Sequence, residues 1–194
     1  RSTQGYSSAA SDVYKRQGLK ALILKSKHKI QGIDDDYDYA EWWNLTKPSE
    51  EELEEQKKKK FDYMPKFSIV IPVYKTPEKF LKEMLDSIVE QTYANWELCI
   101  ADGSPAGESV ETVLKKYAEK DARIRYQVLG ENRGISGNTN DALEMAEGDF
   151  IVLADHDDRL TPNALFECAK KLNENENCDV LYSDEDKLDM DGDE

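Results

Sequence analysis

The chain of 194 residues is poor in the residues that most often build redox or metal centres. It has three cysteines and two histidines, and Cys99, Cys168 and Cys178 form neither a CxxC pair nor a cluster with histidine. Each cysteine stands among apolar neighbours, which is typical of buried reduced thiols. We therefore expect these cysteines to have no catalytic or metal-binding role, and we expect a reducing, cytoplasmic location.

Positive charge is also scarce, with 26 Lys and Arg against 41 Asp and Glu and a net charge of −15. A general nucleic-acid binder would show a basic stripe, so we expect no nucleic-acid partner. The same deficit disfavours electrostatic attachment to anionic lipid. No apolar run approaches the roughly 18 residues of a membrane span. An acidic protein can nevertheless bind a nucleotide through a metal ion, because the cation changes the local sign of charge.

Several motifs of phosphate binding and catalysis are absent. Without GxxxxGK[ST] there is no Walker-type phosphate loop, and without GxGxxG after the first strand dinucleotide binding is disfavoured. No GxSxG nucleophile elbow is present. The first strand also lacks a terminal Asp-x-Asp, which weakens the interpretation as a phosphoaspartate phosphatase.

Composition divides the chain into three regions. Residues 1–17 are polar and without periodicity, and we interpret them as a tail or a sequencing scar. Residues 18–64 are predicted to form a charged helical extension, with a helix from Glu50 whose acidic first turn and basic end at Lys57–Lys60 suit the helix dipole. The lysine run can also be read as a phosphate or lipid patch. Residues 65–194 are predicted to form the main domain, incomplete at its C-terminus.

From Phe67 onward, short apolar runs alternate with stretches of helical periodicity. Helices with Thr76 and Thr161 as their caps are predicted to follow the first and fourth strands. The order βαβαβαβαβ predicts an α/β fold with a doubly wound, mostly parallel sheet. The predicted strands are Phe67–Val73, Trp96–Ala101, Ile124–Leu129, Phe150–Ala154 and Asp179–Tyr182.

The fourth predicted strand ends in a group of carboxylates. Phe150–Ala154 reads as a strand buried on both faces, and Asp155, Asp157 and Asp158 follow it directly. Carboxylates this close repel one another unless a cation lies between them. Hard oxygen ligands suit Mg²⁺ or Mn²⁺, so Asp155 and Asp157 are predicted metal ligands. A polar turn is the alternative, and His156 either contacts a ligand or fills that turn.

Other polar groups also follow strands, and the carboxyl ends of parallel strands share one edge, where ligands bind. The Asp102 carboxylate can accept hydrogen bonds from a base or a ribose, although a structural turn alone also explains Asp102-Gly103-Ser104. The loop from Asn132 to Asn138 opens a helix and can bring backbone N–H groups and Arg133 to a phosphate. Alternatively, Arg133 pairs with an acidic surface residue.

Four sequence segments, in this order, resemble the glycosyltransferase family 2 pattern, which has the GT-A fold. They are Ser-Ile-Val-Ile-Pro-Val-Tyr, Ala-Asp-Gly-Ser, Glu-Asn-Arg-Gly-Ile-Ser-Gly-Asn and Ala-Asp-His-Asp-Asp-Arg-Leu-Thr-Pro-Asn-Ala-Leu. The resemblance runs from about Phe67 to Lys187. The leader Tyr39–Phe61 and the segment Ser183–Lys187 are similar to bacterial members that build surface polysaccharides.

The resemblance implies transfer of a sugar from a nucleoside diphosphate donor, a UDP- or dTDP-sugar, to a glycan or lipid-linked acceptor. It implies an Mg²⁺- or Mn²⁺-dependent, inverting reaction, with Asp155 and Asp157 at the metal and Asp157 as the direct ligand. It also implies a location in the cytoplasm or at the inner face of the membrane. The implied nucleotide-sugar site comprises Pro72, Val73, Tyr74, Asp102, Arg133, Gly134, Asn138, Asp155 and His156.

An inverting reaction needs a carboxylate base, which in this family normally comes from a later segment. The remaining candidates for the base in this chain are Asp184, Glu185 and Asp186. We favour a different role for them, in which they line the pocket of the donor sugar. The chain departs from the family at Lys75, where many members carry Asn. Two alternatives stay open: a nucleotidyltransferase, which would need a glycine-rich basic signature after the first strand, and a non-catalytic nucleotide-sugar-binding scaffold.

Overall fold

The computed structural model describes residues 47–183 of the chain. The chain divides into two compact units, one formed by Arg1–Ser49 with Tyr182–Glu194 and the other by Glu50–Leu181. The second unit contains all the elements described below. The predictions for residues 1–46, and those for Asp184, Glu185 and Asp186, lie outside the described residues.

The second unit is an α/β fold in which every strand is parallel to its neighbours. The strand order is β3-β2-β1-β4, so the central position belongs to β1 and β2. The predicted α/β class and parallel sheet are confirmed. In chain order the elements are α1 (Glu50–Lys58), β1 (Phe67–Val73), α2 (Glu78–Val89), β2 (Trp96–Asp102), α3 (Glu111–Ala118), β3 (Ile124–Val128), α4 (Gly134–Leu143), β4 (Phe150–Leu153) and α5 (Ala164–Glu174).

The main core lies on one face of the sheet, against α2, α3 and α5. The apolar residues of α2 recur every three or four positions and therefore form one buried stripe, Leu81, Met84, Leu85 and Ile88. On the opposite face, α4 packs over β1 and β2 around the small cluster of Val70, Ala101 and Ala142. Helices on both faces explain why β1 and β2 are almost continuously apolar.

The prediction that the fourth strand is buried on both faces is wrong. Phe150 and Val152 are half-buried against the main core, but Ile151 and Leu153 are 42% and 71% exposed. Ile151 and Leu153 are exposed because β4 is the edge strand of the described sheet, while α4 covers β1 and β2. One face of β4 is therefore bare in the described part of the chain.

The prediction of a fifth strand at Asp179–Tyr182 is also wrong. The described residues of this stretch have no regular secondary structure, and Val180 is 79% exposed. Its β-branched and aromatic residues favour extended backbone, but a strand also needs a neighbour with which to exchange backbone hydrogen bonds. Among residues 47–183, β4 pairs with β1 and not with this stretch.

Both predicted threonine caps are wrong. Helix α2 has Pro77 at its N-cap, without a side-chain hydrogen bond, and the buried Thr76 Oγ1 has no hydrogen-bond partner among the residues that the structure describes. Helix α5 starts only at Ala164, because the preceding residues form a turn in which the Ala164 N–H bonds to the Thr161 carbonyl. Helix α4 begins at Gly134, which lies inside the loop predicted from Asn132 to Asn138.

The second half of the charged extension docks onto the domain. Helix α1 is present as predicted, and the side-chain Oε1 of Gln56 accepts a hydrogen bond from Thr92 Oγ1 over 2.9 Å. Beyond the helix, the Phe61 ring packs 5.1 Å from that of Phe166 and 6.4 Å from that of Tyr93. Since Thr92 precedes β2, these contacts place α1 near the amino end of the sheet.

The three cysteines lie partly or fully within the protein interior. Cys99 is buried and Cys168 and Cys178 are half-buried, all with free thiols. Burial raises the pKa of both Cys99 and Cys168, which keeps these thiols protonated and unreactive. Among residues 47–183, no helix has the length and apolar character needed to cross a bilayer.

Candidate functional site

The candidate site is the edge of the sheet at which β1, β2 and β4 end. Val73 at the end of β1 pairs with Asp102 at the end of β2, and Val70 pairs with Leu153 of β4. If the pairing of β1 with β4 is extended by two residues, Asp155 lies opposite Pro72. Adjacent strands lie about 4.8 Å apart, so the ends of β2 and β4 are separated by about 10 Å. The fold therefore brings the three predicted groups of residues to one edge.

Asp102 is fully buried and organises the loop that follows it. Its Oδ1 accepts the Ser104 N–H over 2.9 Å, and its Oδ2 accepts the Ser109 hydroxyl over 2.6 Å and the Val110 N–H over 3.2 Å. Val110 is the N-cap of α3, so one carboxylate fixes the loop at both ends. The structural turn that the sequence left open is present. Contact between Asp102 and a base stays a prediction, and it would add to three bonds already made.

Lys75 adopts a left-handed backbone conformation with φ 52°, directly after the Pro72-Val73-Tyr74 segment. Asn tolerates this conformation better than Lys, which gives a physical reason for the Asn that the sequence resemblance leads us to expect here. The Lys75 N–H donates to Ser104 Oγ over 2.8 Å, and the ammonium lies 3.0 Å from Glu108 Oε2. The hydrogen bond with Glu108 and the charge of that carboxylate raise the pKa of Lys75.

The glycine-containing segment before α4 packs closely against the end of β2. A Cβ atom on Gly103 would lie 2.5 Å from Asn138 Nδ2, so a side chain at this position would displace Asn138 or the loop. Asn138 is buried, accepts the Arg133 N–H at Oδ1 over 3.0 Å, and donates to Asn132 Oδ1. Gly134, with φ 75°, takes a backbone conformation that few other residues adopt. Asn138 therefore shapes the start of α4 from within.

The Arg133 side chain has two carboxylate partners within its own segment. Its Nε lies 3.1 Å from Glu131 Oε1, and its NH1 lies 2.8 Å from Asp141 Oδ1. The structure thus shows the pairing that the sequence left open as an alternative to phosphate contact. The Arg133 side chain is 53% exposed, and a contact with phosphate stays a prediction.

The carboxylates of Asp155, Asp157 and Asp158 are exposed in the loop after β4. The loop is closed by a hydrogen bond of 3.3 Å from the Asp158 N–H to the Asp155 carbonyl. His156 Nδ1 is buried, has no hydrogen-bond partner within residues 47–183, and lies 3.6 Å from Asp157 Oδ1. The side chain of Asp157 is 58% exposed, which leaves it free to bind a cation.

The donor set of this loop fits one particular kind of metal site. Among residues 47–183, no three His, Cys, Asp or Glu side chains converge as a cage for a metal ion. Mg²⁺ is usually held by one or two carboxylates, with water and substrate phosphates completing the coordination. Asp155 and Asp157 could supply one or two hard oxygen ligands of this kind. These residues fit a cation that binds together with a phosphorylated ligand.

Three further residues, Ser104, Ser109 and Glu108, belong to this edge and were not among the residues predicted for the site. The Asp-Gly-Ser turn contained a usable signal for Ser104, because Asp side chains commonly accept a bond from the backbone two residues on. Ser109 stands just before α3 and could have been recognised as a residue that binds free helix N–H groups. Glu108 gave no signal, because its partner Lys75 is distant in the chain.

Comparison with known proteins gives a family and several relatives. The model of the family described as glycosyl transferase family 2 matches residues 68–190. Protein y4gI of Sinorhizobium fredii, described as uncharacterized, is 40% identical over 124 residues, covering 64% of this chain and 14% of that protein. The O-antigen biosynthesis protein RfbC of Myxococcus xanthus is 30% identical over 155 residues, covering 80% of this chain and 12% of that protein.

Two solved structures share the fold. TarS 1-349 of S. aureus in complex with UDP-GlcNAc is 29% identical with a TM-score of 0.52, covering 57% of this chain and 32% of that one. The mannosyltransferase PcManGT of Pyrobaculum calidifontis, in complex with GDP-Man and Mn²⁺, is 26% identical with a TM-score of 0.51, covering 62% and 37%. The chain thus spans a third or less of most of these proteins. Because the family model matches more than half of the chain and the sheet matches GT-A structures, the chain belongs to glycosyltransferase family 2.

Proposed function

We propose that this chain carries the donor-binding part of a glycosyltransferase that uses a nucleoside diphosphate sugar. The observation that carries the proposal is the convergence of the β1, β2 and β4 ends at one edge of the sheet. Three kinds of group lie there. They are the aromatic residue Tyr74, the loop held by Asp102, and the exposed pair of Asp155 and Asp157. A nucleoside diphosphate sugar needs these three features, because it presents a base, hydroxyl groups and a diphosphate.

The nucleotide is proposed to bind at the ends of β1 and β2. Tyr74 is 40% exposed and offers a ring face to a base, while Pro72 and Val73 shape the strand end beneath it. Asp102 contributes by holding the loop of residues 103–110, which offers backbone groups to the ribose. The solved relatives support this assignment, since one is in complex with UDP-GlcNAc and another with GDP-Man.

The diphosphate is proposed to lie at the end of β4, next to Asp155 and Asp157. A divalent cation bound there, Mg²⁺ or Mn²⁺, would stabilise the negative charge of the leaving nucleoside diphosphate. Asp157 is the principal ligand in this proposal, and the exposed carboxylate of Asp155 is the second. The mannosyltransferase in complex with GDP-Man and Mn²⁺ supports the use of such a cation.

In the proposed reaction, the bond between the sugar C1 and the diphosphate oxygen breaks as an acceptor hydroxyl oxygen bonds to C1. Attack from the opposite side inverts the anomeric centre, and the hydroxyl proton passes to a carboxylate base. No described residue is assigned as that base, and Asp184, Glu185 and Asp186 lie outside the described residues. The acceptor is proposed to be a glycan or a lipid-linked molecule of surface polysaccharide synthesis, and the relative named for O-antigen biosynthesis supports the role in such synthesis. The proposed location is the cytoplasm or the inner face of the membrane.

Calorimetric titration of UDP, dTDP and GDP, each with and without Mn²⁺ or Mg²⁺, tests this proposal. We expect binding of at least one nucleotide that requires the cation. Asp157→Asn removes a charged ligand and should weaken this binding at least about tenfold. Asp158→Asn is the matched control, because it removes the same charge from a neighbouring exposed side chain and should leave binding nearly unchanged. Binding by Asp157→Asn equal to that of the unaltered protein would contradict the metal assignment.

A further inference from the structure

An ion pair joins the two loops that flank the proposed nucleotide site. The first loop comprises residues 74–77 after β1, and the second comprises residues 103–110 after β2. The Lys75 ammonium lies 3.0 Å from Glu108 Oε2, and the two side chains are 43% and 54% exposed. The pair therefore stands at the surface, at the edge of the sheet where the nucleotide is proposed to bind.

The backbone of Lys75 is held in its conformation by the second loop. A non-glycine residue with positive φ is strained, and such strain persists when surrounding contacts hold the residue in place. Here the Lys75 N–H donates to Ser104 Oγ, and the Ser104 N–H in turn donates to the buried Asp102. The shape of the first loop therefore depends on contacts that the second loop supplies.

The Lys75 ammonium also contacts Tyr74. It lies 5.6 Å from the centroid of the Tyr74 ring, within the range of a cation–π interaction. One ammonium thus bonds Glu108 of the second loop and covers one face of the aromatic ring in the first. Tyr74 is 40% exposed, so part of its ring remains accessible to a ligand. If the ammonium lost Glu108, it would regain the rotational freedom of a lysine side chain and Tyr74 would lose a fixed neighbour.

We propose that Lys75 and Glu108 form a latch that fixes Tyr74 and the second loop in the conformation that receives the nucleotide. Both are positioning residues that act through Tyr74 and the loop rather than through a contact with phosphate. This inference rests on the proposed function. The latch predicts the direction of the change in affinity: removing either charge weakens nucleotide binding. A Lys75 that bound phosphate directly would behave differently, because Glu108→Gln would release it and strengthen binding.

The binding test uses Lys75→Met, Glu108→Gln and the exchanged pair Lys75→Glu with Glu108→Lys, each titrated with the nucleotide that binds the unaltered protein best. We expect each single variant to bind about two- to fivefold more weakly, the size that one exposed ion pair supplies. The exchanged pair should recover part of this loss, because opposite charges again face each other. The thermal midpoint should stay unchanged in all variants.

The matched control is the ion pair of Lys57 and Glu54 in α1, with a distance of 2.7 Å and side-chain exposures of 50% and 58%. It lies near the amino end of the sheet, so Lys57→Met and Glu54→Gln should not change nucleotide binding. Unchanged binding in both Lys75→Met and Glu108→Gln, or tighter binding in Glu108→Gln, would overturn the latch.

Hydrogen exchange of the ligand-free protein tests the latch independently of the proposed function, because it requires no nucleotide binding. Peptides that cover residues 103–110 should exchange faster in Lys75→Met and Glu108→Gln than in the unaltered protein. At 0.5 M NaCl, which screens exposed charges, the unaltered protein should approach the variants. If no nucleotide bound at all, the proposed function would fail, while equal exchange rates in all proteins would refute the latch by itself.

Discussion

At the scale of single residues, two buried carboxylates organise the opposite ends of the sheet. Asp102 lies at the carboxyl end of β2 and fixes the loop beside the proposed nucleotide site. Glu97 lies near the amino end of the same strand and is also buried. A buried carboxylate is tolerated only when hydrogen bonds or positive charge replace the water that it loses. Glu97 has both kinds of partner, whereas Asp102 accepts three hydrogen bonds, so each end of β2 carries a buried side chain that is bonded to other segments.

The Glu97 carboxylate gathers four donors from three segments. It accepts the Ser68 hydroxyl over 2.6 Å and the Glu147 N–H over 2.5 Å, and it pairs with Lys66 at 2.7 Å and Arg125 at 2.8 Å. Burial alone would raise its pKa. The hydrogen bonds from Lys66, Ser68 and the Glu147 backbone outweigh that effect and lower the pKa of Glu97 to about 2.

Glu97→Gln should destabilise the protein by about 2–3 kcal/mol at pH 7, because the charge that its partners stabilise is lost. A folded pKa below the unfolded value adds stability that is present above the unfolded pKa, near 4.3, and that is lost as pH falls through the folded pKa. The difference between the two proteins should therefore shrink by about half at pH 3. Urea unfolding at pH 7 and pH 3 measures both values.

The control is Glu147→Gln, which alters a carboxylate that pairs with Arg125 at 2.9 Å but is 66% exposed. Exposed ion pairs contribute little, so this variant should change stability by less than about 1 kcal/mol. Equal losses of unfolding free energy in the two variants would mean that burial of Glu97 does not increase its contribution to stability.

At the scale of secondary structure, β4 shows how position in a sheet decides burial. Its four residues are all apolar, as in a strand covered on both faces, yet burial alternates along it. Phe150 and Val152 face the main core, whereas Ile151 and Leu153 stand on the face where α4 covers β1 and β2. The sequence of β4 cannot reveal this asymmetry, because the position of α4 depends on contacts with other strands.

Substitutions on the two faces of β4 should therefore have unequal effects. Leu153→Thr changes an exposed side chain and should alter the free energy of unfolding by no more than about 0.5 kcal/mol. Val152→Thr puts a hydroxyl against the main core and should cost about 1–2 kcal/mol. Urea unfolding of the two variants compares them directly, and a larger loss for Leu153→Thr would refute the described burial pattern.

The elements that could be predicted from sequence are those whose signal is local. The apolar run of β1 and the stripe of α2 depend on residues close together in the chain. Strand β1 has its predicted bounds, and a helix follows it as predicted. The strand predicted at Asp179–Tyr182 failed because a strand exists only with a partner. At the site, the common edge followed from parallel topology, but the pair of Lys75 and Glu108 depends on tertiary contact between distant loops.

At the scale of the whole molecule, the net charge of −15 sets the conditions for stability and binding. A chain with such an excess of one sign repels itself in the compact state. It would also repel a nucleoside diphosphate, so a cation at Asp155 and Asp157 would offset charge on both the protein and the ligand. Most described ion pairs outside the Glu97 group are exposed, so they balance the repulsion only weakly.

Added salt should therefore stabilise this protein. Raising NaCl from 20 to 300 mM shortens the distance over which charges act, which should reduce the repulsion more than it weakens the exposed ion pairs. We expect the thermal midpoint to rise by about 2–4 °C, measured by circular dichroism. The control is the same titration at pH 4.6, near the isoelectric point, where the net charge and hence the gain should be close to zero. A midpoint that fell with salt at pH 7 would show that the ion pairs stabilise the fold more than the excess charge destabilises it.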